Sequence, residues 1–239
     1  MKLRNTHSIE RVVESLAVIP ARGGSKGIPR KNLELVAGIS LVGRAVRFAE
    51  DSGLFDMIHV STDSPEIADE ATRFGHQPEF LRSDDASRDR SSSTDVLLDV
   101  QKDFATRNIK VNRFVLLEPT SPMRKQKFVQ QAIDLTRDEF DASLTVSPVD
   151  VKYHPDKQFS VSQQGQALFF TDRGPKIVAR QELPTTYIRN GFCYVVCGDA
   201  LSTSQSIFGT NLGAVVCDTP YINIDTREDL EKCRAMFEE

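Results

Sequence analysis

Short apolar runs rich in branched residues alternate along the chain with longer segments whose apolar positions recur at helical spacing, the pattern of a mostly parallel α/β sheet. The first run, Leu16 to Pro20, predicts a strand. Ser40 to Asp51 follows as a helix with Leu41, Ala45, Phe48 and Ala49 on one stripe, then Met57 to Ser61 as a strand and Ser64 to Gly75 as a helix stopped by its glycine. Gln77 to Leu81 predicts a short strand. The hydroxyls of Ser91 to Thr94 and the acid Asp95 mark the start of a helix reaching about Ala105. Arg113 to Leu117 predicts a buried strand, closed by the prolines of Glu118-Pro119-Thr120-Ser121-Pro122. A helix over Phe128 to Thr136 and a strand over Ala142 to Val146 come next.

From Val151 to Arg180 the alternation breaks into two short strand-like pieces around the turn Gln163-Gln164-Gly165-Gln166. This stretch, with boundaries at about 151–189, predicts a lobe inserted in one domain that takes in the whole of residues 1–239. Regular order resumes with Phe192 to Cys197, Ala214 to Cys217 and a last helix from Thr226 to Phe237, capped by Thr226 with Asp229 in its first turn.

Composition narrows the function. A net charge of −4 argues against a general nucleic-acid binder, which needs surplus cations for phosphates. No apolar run reaches the roughly 18 residues that span a bilayer, and Met1 to Ser15 lacks the apolar core of a secretory signal. The expected setting is cytoplasmic, without a membrane partner. The cysteines Cys193, Cys197, Cys217 and Cys233 show no metal-binding spacing and read as reduced thiols.

Charge is concentrated in one place. Arg22, Lys26, Arg30 and Lys31 fall within Arg22 to Asn32, a segment with no acid. This segment follows the first strand directly, where open α/β sheets bind ligands. The glycines Gly23, Gly24 and Gly27 allow positive φ and close approach of backbone N–H groups to an anion. Arg22 offers a bidentate fork for phosphate oxygens, and Lys26 and Lys31 offer compact charges. A triphosphate suits this loop. Its spacing matches neither a P-loop nor a dinucleotide-binding fingerprint.

The string Ile19-Pro20-Ala21-Arg22-Gly23-Gly24-Ser25-Lys26-Gly27-Ile28-Pro29-Arg30-Lys31-Asn32-Leu33 resembles the signature of the CMP-sialic acid synthetases, or N-acylneuraminate cytidylyltransferases. The likeness continues through Val60 to Asp63, Leu81-Arg82, Leu117 to Arg124, Arg180 to Pro184, Asn190-Gly191 and Ile224 to Thr226. The resemblance implies a three-layer, Rossmann-like nucleotidyltransferase core with a small inserted dimerisation arm. It implies a homodimer that joins CTP to an acidic nine-carbon sugar and releases pyrophosphate. Carried over by motif, Arg22, Ser25, Lys26 and Lys31 bind the triphosphate and Asn32 the ribose, while Arg82, Ser91 and Ser93 belong to the cytidine pocket. Glu118, Lys157, Arg180 and Tyr194 are the expected sugar contacts. Arg22, Lys31 and Asp225 are the expected catalytic set, with Mg²⁺ as the metal and Mn²⁺ able to substitute.

Two positions depart from the pattern of that family. Asn223-Ile224-Asp225 stands in place of Asp-Ile-Asp, so Asp225 is the expected metal ligand, with Asn223 as a neutral oxygen donor on the same side of a strand. Glu118 stands where Gln is common and, when ionised, can only accept hydrogen bonds. Close alternatives are a KDO cytidylyltransferase, another nucleotidyltransferase acting on a sugar phosphate, and a non-catalytic nucleotide-binding dimer.

Overall fold

The computed structural model describes residues 11–25, 27–78, 81, 92–176, 179, 181 and 183–238. Its centre is a six-stranded sheet of β1 (Arg11–Pro20), β4 (Met57–Ser61), β5 (Ile109–Leu116), β6 (Ala142–Pro148), β9 (Tyr187–Cys197) and β10 (Leu212–Val216). They lie in the order β10-β6-β9-β5-β1-β4. All neighbouring pairs are parallel except those of β9, which runs antiparallel to both β5 and β6. β2 (Leu35–Val36) and β3 (Ile39–Ser40) form a small hairpin ahead of α1 (Leu41–Ser52).

β1 shows why the sheet is a middle layer. Leu16, Ala17, Val18 and Ile19 are all fully buried, because helices cover both faces. Ala17 and Ile19 pack into a cluster with residues of α1, α2 (Pro65–Arg73) and α4 (Gln126–Asp138). Leu16 and Val18 pack on the other face with α3 (Ser93–Thr106) and Leu201 of α5 (Gly198–Ser204). Each fully buried Leu, Ile or Phe contributes roughly 1.5–3 kcal/mol. A third cluster joins Ile28, Val36 and Leu41 to Ile224, Leu230 and Cys233, so α6 (Arg227–Glu238) ties the chain's end to the segment after β1. The fold is the expected three-layer α/β core with a mostly parallel sheet.

The helix ends follow from local chemistry. Ser40 caps α1 by accepting from Gly43 N–H, and Gly53, with φ of 63°, ends it. Ser92 and Asp95 form a reciprocal capping box at α3. Asp229 accepts from the backbone and hydroxyl of Thr226, which accepts in turn from Asp229 N–H.

Some expectations shift. β1 begins at Arg11, earlier than Leu16, because the run Arg11 to Val13 pairs with Ile109 to Val111. Gln77, Pro78 and Leu81 form no strand, and residues 79 and 80 lie outside the described set. β9 starts at Tyr187, so Tyr187 to Arg189 already pair with Val146 to Pro148. The lobe contains three 3₁₀ turns, Val151–Tyr153, Pro155–Lys157 and Gly174–Lys176, and a hairpin of β7 (Phe159–Val161) and β8 (Ala167–Phe169). All six strand residues of that hairpin are exposed.

Candidate active site

The chain leaves β1 for β4 on one side of the sheet and later returns to β5 on the other. The loops that follow β1 and β5 therefore diverge, and the gap between them is a crevice at the carboxyl ends of the strands. A cavity of about 190 Å³ fills it, lined by Arg22, Ser25, Lys31 and Asn32 from the first loop, Glu118 and Thr120 from the second, and Ser93 at the start of α3. The positive end of α3 faces the same space, which favours an anion.

Lys31 is the tie between this loop and the end of the chain. Its Nζ donates to the Ile224 carbonyl at 2.8 Å and meets Asp225 Oδ1 at 3.2 Å. The Lys31 side chain is only 15% exposed and that of Asp225 is 72% exposed, so the lysine is fixed while the carboxylate stays open to ligands. Gly27 permits this approach: a Cβ there would stand 2.5 Å from the Asp225 carbonyl oxygen.

That close approach is itself a reason for glycine at this position. Gly23, Gly24 and Gly27 are not among the residues with positive φ; Arg30 is, at 55°. Gly23 N–H donates to Asp63 Oδ1 at 2.7 Å, and a Cβ on Gly23 would meet Ser64 Cβ at 2.9 Å. Gly23 and Gly27 are small because neighbouring segments touch them. Arg30 leaves the cavity altogether and pairs with Glu66 at 2.5 Å, a contact between exposed groups. Asn32 is buried and donates its amide to the Arg22 carbonyl at 3.0 Å, which holds the loop in shape besides lining the cavity.

Glu118 sits half-buried at the cavity wall, within a long 3.4 Å of Ser93 Oγ. Burial pushes its carboxyl pKa up, opposed by Arg124 and by the Ser93 contact, and the charge of Asp225 adds to the rise. The loop that carries it is fastened by Arg124, which donates Nε to the Phe192 carbonyl at 3.1 Å and Nη2 to the Glu118 carbonyl. Arg124 was in the quoted motif but its buried position was not legible there; a cation two residues after the second proline of that motif is the signal that could have found it. Gly191, at φ 73°, is required as well, since a Cβ would stand 2.3 Å from Ser121 Oγ.

Asn223, Ile224 and Asp225 lie outside any strand, so strand alternation does not orient them. Ile224 N–H donates to the Thr120 carbonyl at 2.8 Å, and Ser121 Oγ reaches Asn223 Oδ1 at 3.5 Å. The segment is thus laced to the Glu118 loop on one side and to Lys31 on the other. Among the described residues no group of three or more His, Cys, Asp or Glu gathers as a ready metal cage.

Other expected residues fall elsewhere. Tyr194 is 7% exposed in the core on β9, edge-on to Phe208, and does not line the cavity; burial raises its phenol pKa to about 12, with a smaller push from Glu118. This β9 position faces the α3 side of the sheet, where Tyr194 packs into the core cluster. Lys157 is exposed on the lobe's second 3₁₀ turn, also away from the cavity lining. Lys26, Arg82, Ser91 and Arg180 lie outside the described residues. Val96, one turn after Ser93, lines the cavity without having been singled out. All four cysteines are free thiols, and among the described residues no helix is long and apolar enough to cross a membrane.

Comparison with known proteins agrees with this geometry. The profile of the Cytidylyltransferase family matches residues 16–232. A CMP-N,N'-diacetyllegionaminic acid synthase of Legionella pneumophila is 30% identical over 220 residues, covering 90% of this chain and 92% of that protein. An N-acylneuraminate cytidylyltransferase of Streptococcus agalactiae is 31% identical over 222 residues, which is 91% of this chain but 52% of that longer relative. Among solved structures, a CMP:2-keto-3-deoxy-manno-octonic acid synthetase complexed with CTP superposes with a TM-score of 0.70. It is 21% identical and the match covers 94% of this chain and 98% of that one, a likeness of fold. With a profile match over most of its length and a 30% identical relative of similar size, this chain belongs to the cytidylyltransferase family.

Proposed function

We propose that this cytidylyltransferase activates a nonulosonic acid, converting CTP and the sugar acid into CMP-sugar and pyrophosphate. The observation that carries the reading is the fastening of Lys31 to Asp225 at the rim of a cavity that Arg22 and Ser25 share. The anomeric hydroxyl of the sugar attacks the α-phosphorus of CTP; a new P–O bond forms as the bond to pyrophosphate breaks, and the hydroxyl proton is lost. Such a transfer depends on positioning and charge neutralisation. Arg22 grips phosphate oxygens, Lys31 offsets charge that grows on the phosphates, and Ser93 with the amino end of α3 completes the wall.

Asp225 and Asn223 offer hard oxygen donors, which suit Mg²⁺ held together with phosphate oxygens and water. Bound there, the ion would supply a Lewis-acid charge beside the phosphates. Glu118 differs from a glutamine in having no N–H to donate, so it selects a sugar group that donates to it. A cytoplasmic setting belongs to the same reading, supported by the four free thiols.

The purified protein, mixed with CTP, Mg²⁺ and a panel of nonulosonic acids, should release pyrophosphate with at least one of them. KDO and sugar 1-phosphates serve as controls. Release only with a control, or with no acid at all, would sink the reading.

The lobe supports a homodimer. Val161 is 67% and Phe170 66% exposed, with Phe159 and Leu168 beside them, on a three-residue-a-strand hairpin too small to be stable unaided. A second copy of the chain covers this surface, and Lys157 on the same lobe then approaches the partner's cavity. Light scattering should give a dimer mass for the protein and a monomer for Phe170→Asp. A monomeric parent protein would refute this arrangement.

A further inference from the structure

A second cavity, of about 380 Å³, opens between α1 and the start of α4, on the face of the sheet away from α3. Its lining carries Arg44, Arg47, Arg124 and Lys125 against the single carboxylate of Asp51. Arg44 is committed, since its guanidinium donates to the Val36 carbonyl and stacks 4.2 Å over Phe237. Arg47 and Lys125 are exposed and have no ion-pair partner among the described residues, although Asp51 is only one helical turn from Arg47.

Arg124 forms the floor. It is 6% exposed, its Nε and Nη2 hold backbone carbonyls, and its Nη1 has no acceptor among the described residues. Burial lowers its pKa to about 10, so the guanidinium keeps its charge at neutral pH. The amino end of the 13-residue helix α4 opens here too. Lys125 occupies its cap position without a side-chain bond, and no acid stands in the first turn, so the helix's positive end is neither capped nor neutralised. Phe48 and Pro122 supply an apolar wall.

We propose that this cavity is a second anion site, which binds a small phosphomonoester with its phosphate between Arg47, Lys125 and the amino end of α4 and its organic part against Phe48 and Pro122. The proposed cytidylyl transfer assigns no role to Arg47, Phe48 or Lys125, although Arg124 also braces the Glu118 loop. An unneutralised helix end, unpaired cations and a buried guanidinium around one cavity are the features that proteins use to hold phosphate.

Isothermal titration of the full protein with inorganic phosphate and with ribose 5-phosphate tests the site. Both should bind saturably, ribose 5-phosphate the more tightly. The double variant Arg47→Gln/Lys125→Gln should weaken both at least tenfold, whereas Arg22→Ala in the catalytic cavity should change them less than twofold. Absence of saturable binding, an unchanged affinity in the double variant, or loss of binding in Arg22→Ala would overturn the proposal. Equal or tighter binding of inorganic phosphate would overturn the part assigned to Phe48 and Pro122. The readout is binding and not turnover, so a failure here is distinct from a failure of the proposed reaction.

Discussion

Lys31→Met lowers kcat/KM for CTP by about two to three orders of magnitude, the usual effect of removing one preorganised charge from a site where charge develops. The side chain is held by two acceptors on the segment 224–225, so its charge is in place before substrate arrives. Methionine keeps the length and loses the charge. The fold should survive: the ammonium's bond to the Ile224 carbonyl is worth about 1.5–3 kcal/mol and its pair with the exposed Asp225 about 1 or less, which on a chain of this size amounts to several degrees in melting temperature. Lys31→Arg should rescue poorly, because a planar fork cannot reproduce a compact ammonium wedged between the Ile224 carbonyl and Asp225. Steady-state kinetics beside a melting curve checks this. If Lys31→Met keeps kcat/KM within threefold of the parent, the lysine is a structural tie and nothing more.

The same residue shows how far the sequence could be read. A buried strand, a basic loop and a cap-then-helix signal are local patterns, so the loop after β1, the Ser92 cap of α3 and the Thr226–Asp229 cap of α6 were visible in the chain. The partner of Lys31 lies 194 positions away, and only the resemblance brought Asp225 to the same site. Contacts at such separation leave no periodic trace. The glycines show the same limit: freedom to take positive φ is a local property, whereas Gly27 is shaped by the Asp225 backbone brought against it in space. Arg30 belongs to the same run of cations as Lys31, yet it has a left-handed backbone and pairs with Glu66 on α2. Tyr194 carries a hydroxyl that invites a ligand role, but its place on β9 between the β5 and β6 strands puts it in the core.

These contacts also make the site cooperative. Thr120 and Ser121 hold the 223–225 segment, Arg124 holds the Glu118 carbonyl, and Lys31 holds Ile224 and Asp225. The loop after β1, the loop after β5 and the entry to α6 therefore brace one another around the cavity. Rigid support of this kind keeps reacting groups aligned without each being fixed by its own element.

Asp225 is where this bracing meets the chemistry. Asp225→Ala should reduce Mg²⁺-dependent turnover by at least about two orders of magnitude, since the metal's charge stabilisation amounts to several kcal/mol. Its effect on stability should be slight, because a 72% exposed carboxylate paired with Lys31 contributes little, and Lys31 retains the Ile224 carbonyl. Asp225→Asn separates charge from shape, leaving two neutral amides at positions 223 and 225, and should need far more Mg²⁺ for half-maximal rate. The converse change, Asn223→Asp, supplies a second carboxylate beside the first and should lower that requirement. Rates measured across a Mg²⁺ titration for the three variants decide the matter. Should Asp225→Asn follow the parent's Mg²⁺ curve, the ion is held by phosphate and water without this carboxylate, and Asp225 serves only to anchor Lys31.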